Sequence, residues 1–204
     1  LNRVVIKTEN ISHIASLPFV KSVDQISSGK APRKNEQDKR EKLFELDFQD
    51  FNETKYYGNA ASQNTMIRVD YLHKRGYKGD SVHIALFDAG YRNANNIRGF
   101  DSLFQQNRIL ETWNFVESKD SVFRVNDGTH GTSVLSCMAA NEPTKMVGTS
   151  PNAFYSLYVT ENGASETIEE EYNWLIAAER ADSAGAELFS TSLGYTTFDN
   201  DSLS

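Results

Sequence analysis

Read for its alternation of apolar and polar positions, the chain resolves into short strands and helices that follow one another. Residues 3–7, RVVIK, form a short β-branched run. Behind it Ile11, Ile14, Ala15 and Leu17 recur at helical spacing after Asn10, a residue suited to cap a helix. Val20, Val23 and Ile26 in VKSVDQI then predict a second strand. The stretch 28–55 breaks this pattern: it is rich in charge, poor in aliphatics, and predicts an exposed linker, partly helical around Asp38 to Leu46. From Tyr56 onward the pattern is globular again.

VHIALF, residues 82–87, is a continuous apolar run between Gly79-Asp80 and Asp88-Ala89-Gly90, as expected of a central parallel strand buried on both faces. A helix is predicted from about His130, with Val134, Leu135, Met138 and Ala139 turned inward, and a strand over FYSLYV, 154–159. Residues 165–184 give the clearest helical signal. Thr167 and Glu170 can form a capping box, Gly185 follows the end, and Ile168, Tyr172, Leu175 and Ile176 recur at helical spacing. LFSTSL, 188–193, is the next strand candidate. Strands alternating with helices predict an α/β fold around a parallel sheet.

Composition narrows the function classes. The 204 residues carry a formal charge of −7, which argues against nucleic acid or an anionic membrane surface as partner. No apolar run approaches the roughly 18 residues that span a bilayer. Cys137 is the single cysteine, so an internal disulfide and a thiolate metal cluster are excluded; the packing expectation for it is a small buried helix residue. Glu169, Glu170 and Glu171 read as a solvated first helical turn, and Trp113 and Trp174 as packing residues.

Two residues stand out chemically. Asp88 falls at the carboxyl end of the VHIALF strand, where parallel sheets place ligands, and Gly90 lets the chain turn there. His130 opens the next strong helix, and a carboxylate beside it would suit it to general-base work. Ser133 lies one turn along the same helix and is a poor nucleophile candidate, since its side chain cannot face His130 across a cleft. Ser150, in GTSP, sits in a loop leading into a strand and is set aside for the same kind of reason.

Five segments in order then resemble the subtilisin-like serine peptidases. SVHIALFDAG is similar to their Asp-Thr/Ser-Gly strand, and HGTSVLSCMAA to their His-Gly-Thr-x-Val-x-x-x-x-Ala-Ala helix. VGTSPNAFYSLYV resembles their Gly-x-Ala-Pro-x-Ala strand entry, FSTSLGY their Asn-x-Ser-Leu-Gly segment, and YYGNAASQNTMIRVDYLHKRGYKGDSV the start of the mature enzyme. LPFVKSVDQ is similar to the end of their inhibitory propeptide. The departures are Ala89 where Thr or Ser is usual, Thr129 where Gly often precedes the histidine, and Phe189-Ser190 where Ile-Asn is common.

The resemblance implies an α/β, subtilisin-like parallel sheet flanked by helices, preceded by a small β-α-β propeptide-like segment. On that basis residues 1–27 are expected to be a partial propeptide, 28–55 a charged linker with the processing junction, and 56–204 the N-terminal part of the peptidase domain. It implies a serine endopeptidase with Asp88 as triad acid and His130 as general base. Ser192, Leu193 and Gly194 are implied to pair with an extended peptide as an added strand. The implied partners are a polypeptide substrate and the chain's own propeptide, in a secreted or extracytoplasmic setting. No cofactor is implied for the chemistry; calcium is common in the family, but no loop here shows an assignable oxygen cluster. The start at Leu1 and the absence of a Gly-Thr-Ser-Met-Ala-x-Pro segment lead to a further expectation: this is a fragment, inactive as it stands, whose nucleophile lies beyond Ser204. Two alternatives stay open. One is a catalytically dead subtilase-fold binding module; the other is a doubly wound receiver or nucleotide-binding domain with Asp88 at the switch point, for which no Gly-rich phosphate loop follows VHIALF.

Overall fold

A computed structural model describes Ser12 and residues 52–125, 129–165 and 167–195. The chain divides into two compact units, Leu1–Leu46 and Asp47–Ser204. Apart from Ser12, the β-α-β expected over residues 1–27 and most of the charged stretch 28–55 lie outside the described residues.

In the second unit three short helices come first: α1 (Glu53–Tyr57), α2 (Ala61–Met66) and α3 (Val69–Lys74). Asn52 caps α1, its Oδ1 accepting the Lys55 N–H at 2.8 Å. Strand β1 (His83–Asp88) is followed by two 3₁₀ turns, α4 (Asp101–Gln105) and β2 (Ile109–Asn114). Then come α5 (Thr129–Ala139), the short strands β3 (Asn141–Glu142) and β4 (Met146–Val147), β5 (Phe154–Val159), α6 (Ile168–Ser183) and β6 (Leu188–Thr191).

The main sheet is parallel, in the order β2-β5-β1-β6. β1 lies inside it and is buried along its whole length, as its unbroken apolar run requires. Side chains alternate between the two faces. Ile84 and Leu86 of β1 join Tyr155, Leu157 and Val159 of β5 against Leu135 and Ala139 of α5. Ala85, Phe87 and Tyr158 pack on the other face against Ala177 and Ala181 of α6. Helices therefore cover both faces, which gives the α/β architecture with a parallel sheet flanked by helices.

The burial of α6 is set by its small residues. Tyr172, Leu175 and Ile176 are more than half exposed, and the helix meets the sheet through Ala177 and Ala181. Small side chains let the helix axis approach the aromatic surface of Phe87 and Tyr158, and the bulky residues are left on the outer side. Glu170 is likewise buried rather than solvated, because its carboxylate accepts the Asn162 N–H at 3.0 Å and the Thr167 N–H at 3.4 Å. The capping box with Thr167 is present. Cys137, expected inside, is exposed on α5, because the buried side of that helix is set by Gly131, Thr132, Leu135 and Ala139. Both tryptophans pack: Trp174 lies 5.8 Å from the Phe87 ring, and the Arg180 guanidinium sits 4.9 Å over Trp113.

The helices before β1 are fastened to the segment around β4 by polar contacts. Asn64 Nδ2 donates to the Val147 carbonyl at 2.8 Å, and the Asn59 N–H donates to the Lys145 carbonyl at 2.9 Å. His73 is buried with Nδ1 2.9 Å from the Tyr57 hydroxyl and Nε2 2.9 Å from the Thr149 carbonyl. A carbonyl only accepts, so Nε2 carries the proton and Nδ1 accepts from Tyr57. Burial pushes the His73 imidazolium down from its ordinary titration range.

Candidate active site

Asp88 is the last residue of β1 and stands in register with Val159, the last residue of β5. Its side chain continues the Ile84–Leu86 face, the face that α5 covers. The carboxylate is 1% exposed, at the carboxyl end of an inner parallel strand. His130 is the second residue of α5, 42 positions on, and its side chain is 58% exposed. The fold brings the two together: His130 Nδ1 lies 3.0 Å from Asp88 Oδ2 and 3.1 Å from Oδ1. With a carboxylate at Nδ1, that nitrogen holds the proton, and the Nε2 lone pair of the neutral ring is left to accept another.

The local sequence makes this approach feasible. Gly131 follows the histidine directly, and a Cβ there would lie 2.3 Å from the Gly90 carbonyl oxygen and 2.9 Å from both Cβ and Cγ of Asp88. Only a residue without a side chain lets the start of α5 rest against the end of β1. The Gly131 N–H also reaches the Asp88 carboxylate, and the Ala89 N–H donates to Oδ1 at 2.9 Å. Ala89 thus supplies a donor through its main chain, although its side chain has no hydroxyl. Burial pushes the Asp88 carboxyl above its ordinary range, opposed by the hydrogen bond and charge of His130 and by the two backbone N–H groups.

Other candidates fall elsewhere. Ser133 is exposed, and its hydroxyl donates to the Thr129 carbonyl at 3.0 Å, one turn back on its own helix. Ser150 lies in the turn before β5, its N–H donating to the Met138 carbonyl. Among the described residues no hydroxyl is hydrogen-bonded to His130. Ser192, Leu193 and Gly194 follow β6 directly. Thr191 pairs in register with Phe87, so the three leave the sheet at the end where Asp88 lies. Ser192 and Gly194 are exposed, and Leu193 packs against the cluster around Phe87 and Tyr158. Among the described residues no group of three or more His, Cys, Asp or Glu side chains is arranged to hold a metal ion. No described helix is long and apolar enough to cross a membrane.

One contact at the site was not singled out from the sequence: Thr132 Oγ1 donates to the Arg92 carbonyl at 2.9 Å. The only available signal was its place in the His-Gly-Thr triplet, which says nothing of the Arg92 loop.

No family model matches the chain. It is 30% identical over 135 residues to subtilisin amylosacchariticus of Bacillus subtilis subsp. amylosacchariticus, a match covering 64% of this chain and 31% of the relative. It is 30% identical over 138 residues to subtilisin E of Bacillus subtilis strain 168, covering 65% and 32%. With the subtilisin of Bacillus pumilus the identity is 29% over 139 residues, covering 65% and 44%. The chain therefore spans about a third of the length of the Bacillus subtilis relatives it matches. These similarities support a subtilisin-like relationship at distant identity, and with it a serine-endopeptidase type of family.

Proposed function

We propose that the chain is the N-terminal part of a subtilisin-like serine endopeptidase in which Asp88 is the triad acid and His130 the general base. The observation that carries this reading is the Nδ1 hydrogen bond of a half-exposed His130 to a buried Asp88 at the carboxyl end of an inner parallel strand. In the proposed step, Nε2 takes the proton of a serine hydroxyl as its oxygen attacks the peptide carbonyl, and later returns that proton to the leaving amine. Asp88 holds the imidazole in the Nδ1–H tautomer and stabilises the imidazolium that forms. A binding module would need neither a dry carboxylate nor a histidine with its second nitrogen turned free, which favours the enzyme reading over the pseudoprotease one.

The reading requires a serine hydroxyl at His130 Nε2, a place that Ser133 does not fill, since its hydroxyl donates to the Thr129 carbonyl. Ser192, Leu193 and Gly194 supply main-chain partners to an extended substrate next to the pair. Residues 1–27 are the inhibitory propeptide portion, and the working location is outside the cytoplasm.

The test uses the complete gene product. It should be labelled by a fluorophosphonate probe and hydrolyse casein, and His130→Ala or Asp88→Asn should lower kcat by roughly 10⁴-fold or more, the range found for triad members. A complete gene product that neither labels nor cleaves, or that cleaves equally well without His130, would refute the assignment.

A further inference from the structure

The first turn of α5 is tied to the loop leaving Asp88 at three successive residues. His130 meets the carboxylate, Gly131 rests its backbone against the Gly90 carbonyl, and the Thr132 hydroxyl donates to the Arg92 carbonyl at 2.9 Å. The loop is held from its other side as well, with the Tyr91 N–H donating to the Val122 carbonyl at 2.9 Å and the Asn93 N–H to the Phe123 carbonyl at 3.0 Å. Asp88 is thus fixed in the sheet, while more than half of the His130 side chain faces solvent. An exposed ring has few walls to hold it. Its register with the carboxylate depends on where the backbone of α5 starts relative to residues 88–92.

We propose that Thr132 is a positioning residue for the Asp88–His130 pair, its hydroxyl setting the start of α5 against the Arg92 loop so that His130 Nδ1 stays on the carboxylate. The inference rests on the reading of this pair as acid and base, and assigns Thr132 no contact with substrate. Its own geometry argues for a specific tie: Thr132 is buried on α5, and its hydroxyl joins that helix to a residue 40 positions earlier in the chain. A hydrogen bond placed there bears on the relative placement of two segments far apart in sequence.

The experiment measures the His130 tautomer at neutral pH by long-range ¹⁵N–¹H correlation in the histidine-labelled chain, its signals assigned by their loss in His130→Gln. Asp88→Asn defines the pattern of a ring without the carboxylate. Thr132→Val, matched in shape, and Thr132→Ala, smaller, should each move His130 from the Nδ1–H form toward the Asp88→Asn pattern; Thr132→Ser should restore the original one. A merely structural role would shift thermal midpoints without this tautomer change. The proposal is overturned if whichever of Thr132→Val and Thr132→Ala folds keeps the wild-type tautomer pattern, or if Thr132→Ser fails to restore it. Because the readout requires no hydrolysis, the proposal can fail while fluorophosphonate labelling of the complete gene product upholds the peptidase reading, and the reverse can also occur.

Discussion

Gly131→Ala is the substitution for which the structure gives the sharpest expectation. The added methyl would stand 2.3 Å from the Gly90 carbonyl oxygen, against an ordinary contact beginning near 3.4 Å, so the start of α5 must retreat by about 1 Å. Neither obstacle can swing aside: one is backbone, and the others are Cβ and Cγ of Asp88 itself. Ala is the better helix former by up to about 1 kcal/mol, but overpacking a tight site costs about 1–3 kcal/mol. The retreat also stretches the 3.0 Å bond between His130 and Asp88 to a length at which it no longer holds. The steric and hydrogen-bond losses exceed the helix gain, for a net destabilisation of about 2 kcal/mol. With a urea slope of roughly 2 kcal/mol/M, the unfolding midpoint should fall by about 1 M. Gly99→Ala is the control, since its methyl would meet nothing closer than the Ala140 Cβ at 3.9 Å. If Gly131→Ala unfolds at the same midpoint as Gly99→Ala and keeps the Nδ1–H tautomer of His130, the close approach of α5 to β1 is not what brings the pair together.

Asp88→Asn should be no less stable than the native chain at pH 7, measured by urea unfolding. A carboxyl whose folded pKa is raised contributes stability below its unfolded value near 3.9, and that contribution is lost as pH rises through the folded value. His73→Gln should flatten the loss of stability between about pH 7 and pH 5. The buried native imidazole resists protonation, so its contribution is present above the unfolded value near 6.5 and declines as pH falls toward the lower folded one. A wild-type chain equally stable at both pH values would refute that assignment. Glu170→Ala should cost about 2 kcal/mol in the same assay, since the main-chain N–H groups of Asn162 and Thr167 lose their acceptor. On α6, Ala177→Leu should be destabilising by about 1–3 kcal/mol, while Leu175→Gln should change little, because only the first meets the sheet.

Local signals determined a good deal of this protein. The unbroken run VHIALF marks a buried strand, observed over His83–Asp88, because only an inner strand of a parallel sheet can bury both faces. FYSLYV is a strand over the predicted residues, and the Thr167–Glu170 box opens α6, because both depend on neighbours within a few positions. The candidacy of Asp88 and His130 was legible from their positions at a strand end and a helix start, and from the motifs around them. Their hydrogen bond was not, since it spans 42 residues and depends on how closely α5 approaches β1. Tertiary structure also chose the face of α6. The repeat of Tyr172, Leu175 and Ile176 marks a helix without saying which side meets the sheet; the aromatic surface of Phe87 and Tyr158 admits Ala177 and Ala181 and leaves the bulk outward. The same holds for Glu170, whose burial depends on two N–H groups the fold directs toward it, and for Thr132, whose partner lies in a loop 40 residues earlier. Periodicity and caps are set by neighbours along the chain; burial, sheet order and the meeting of distant polar groups are set by what packs against them.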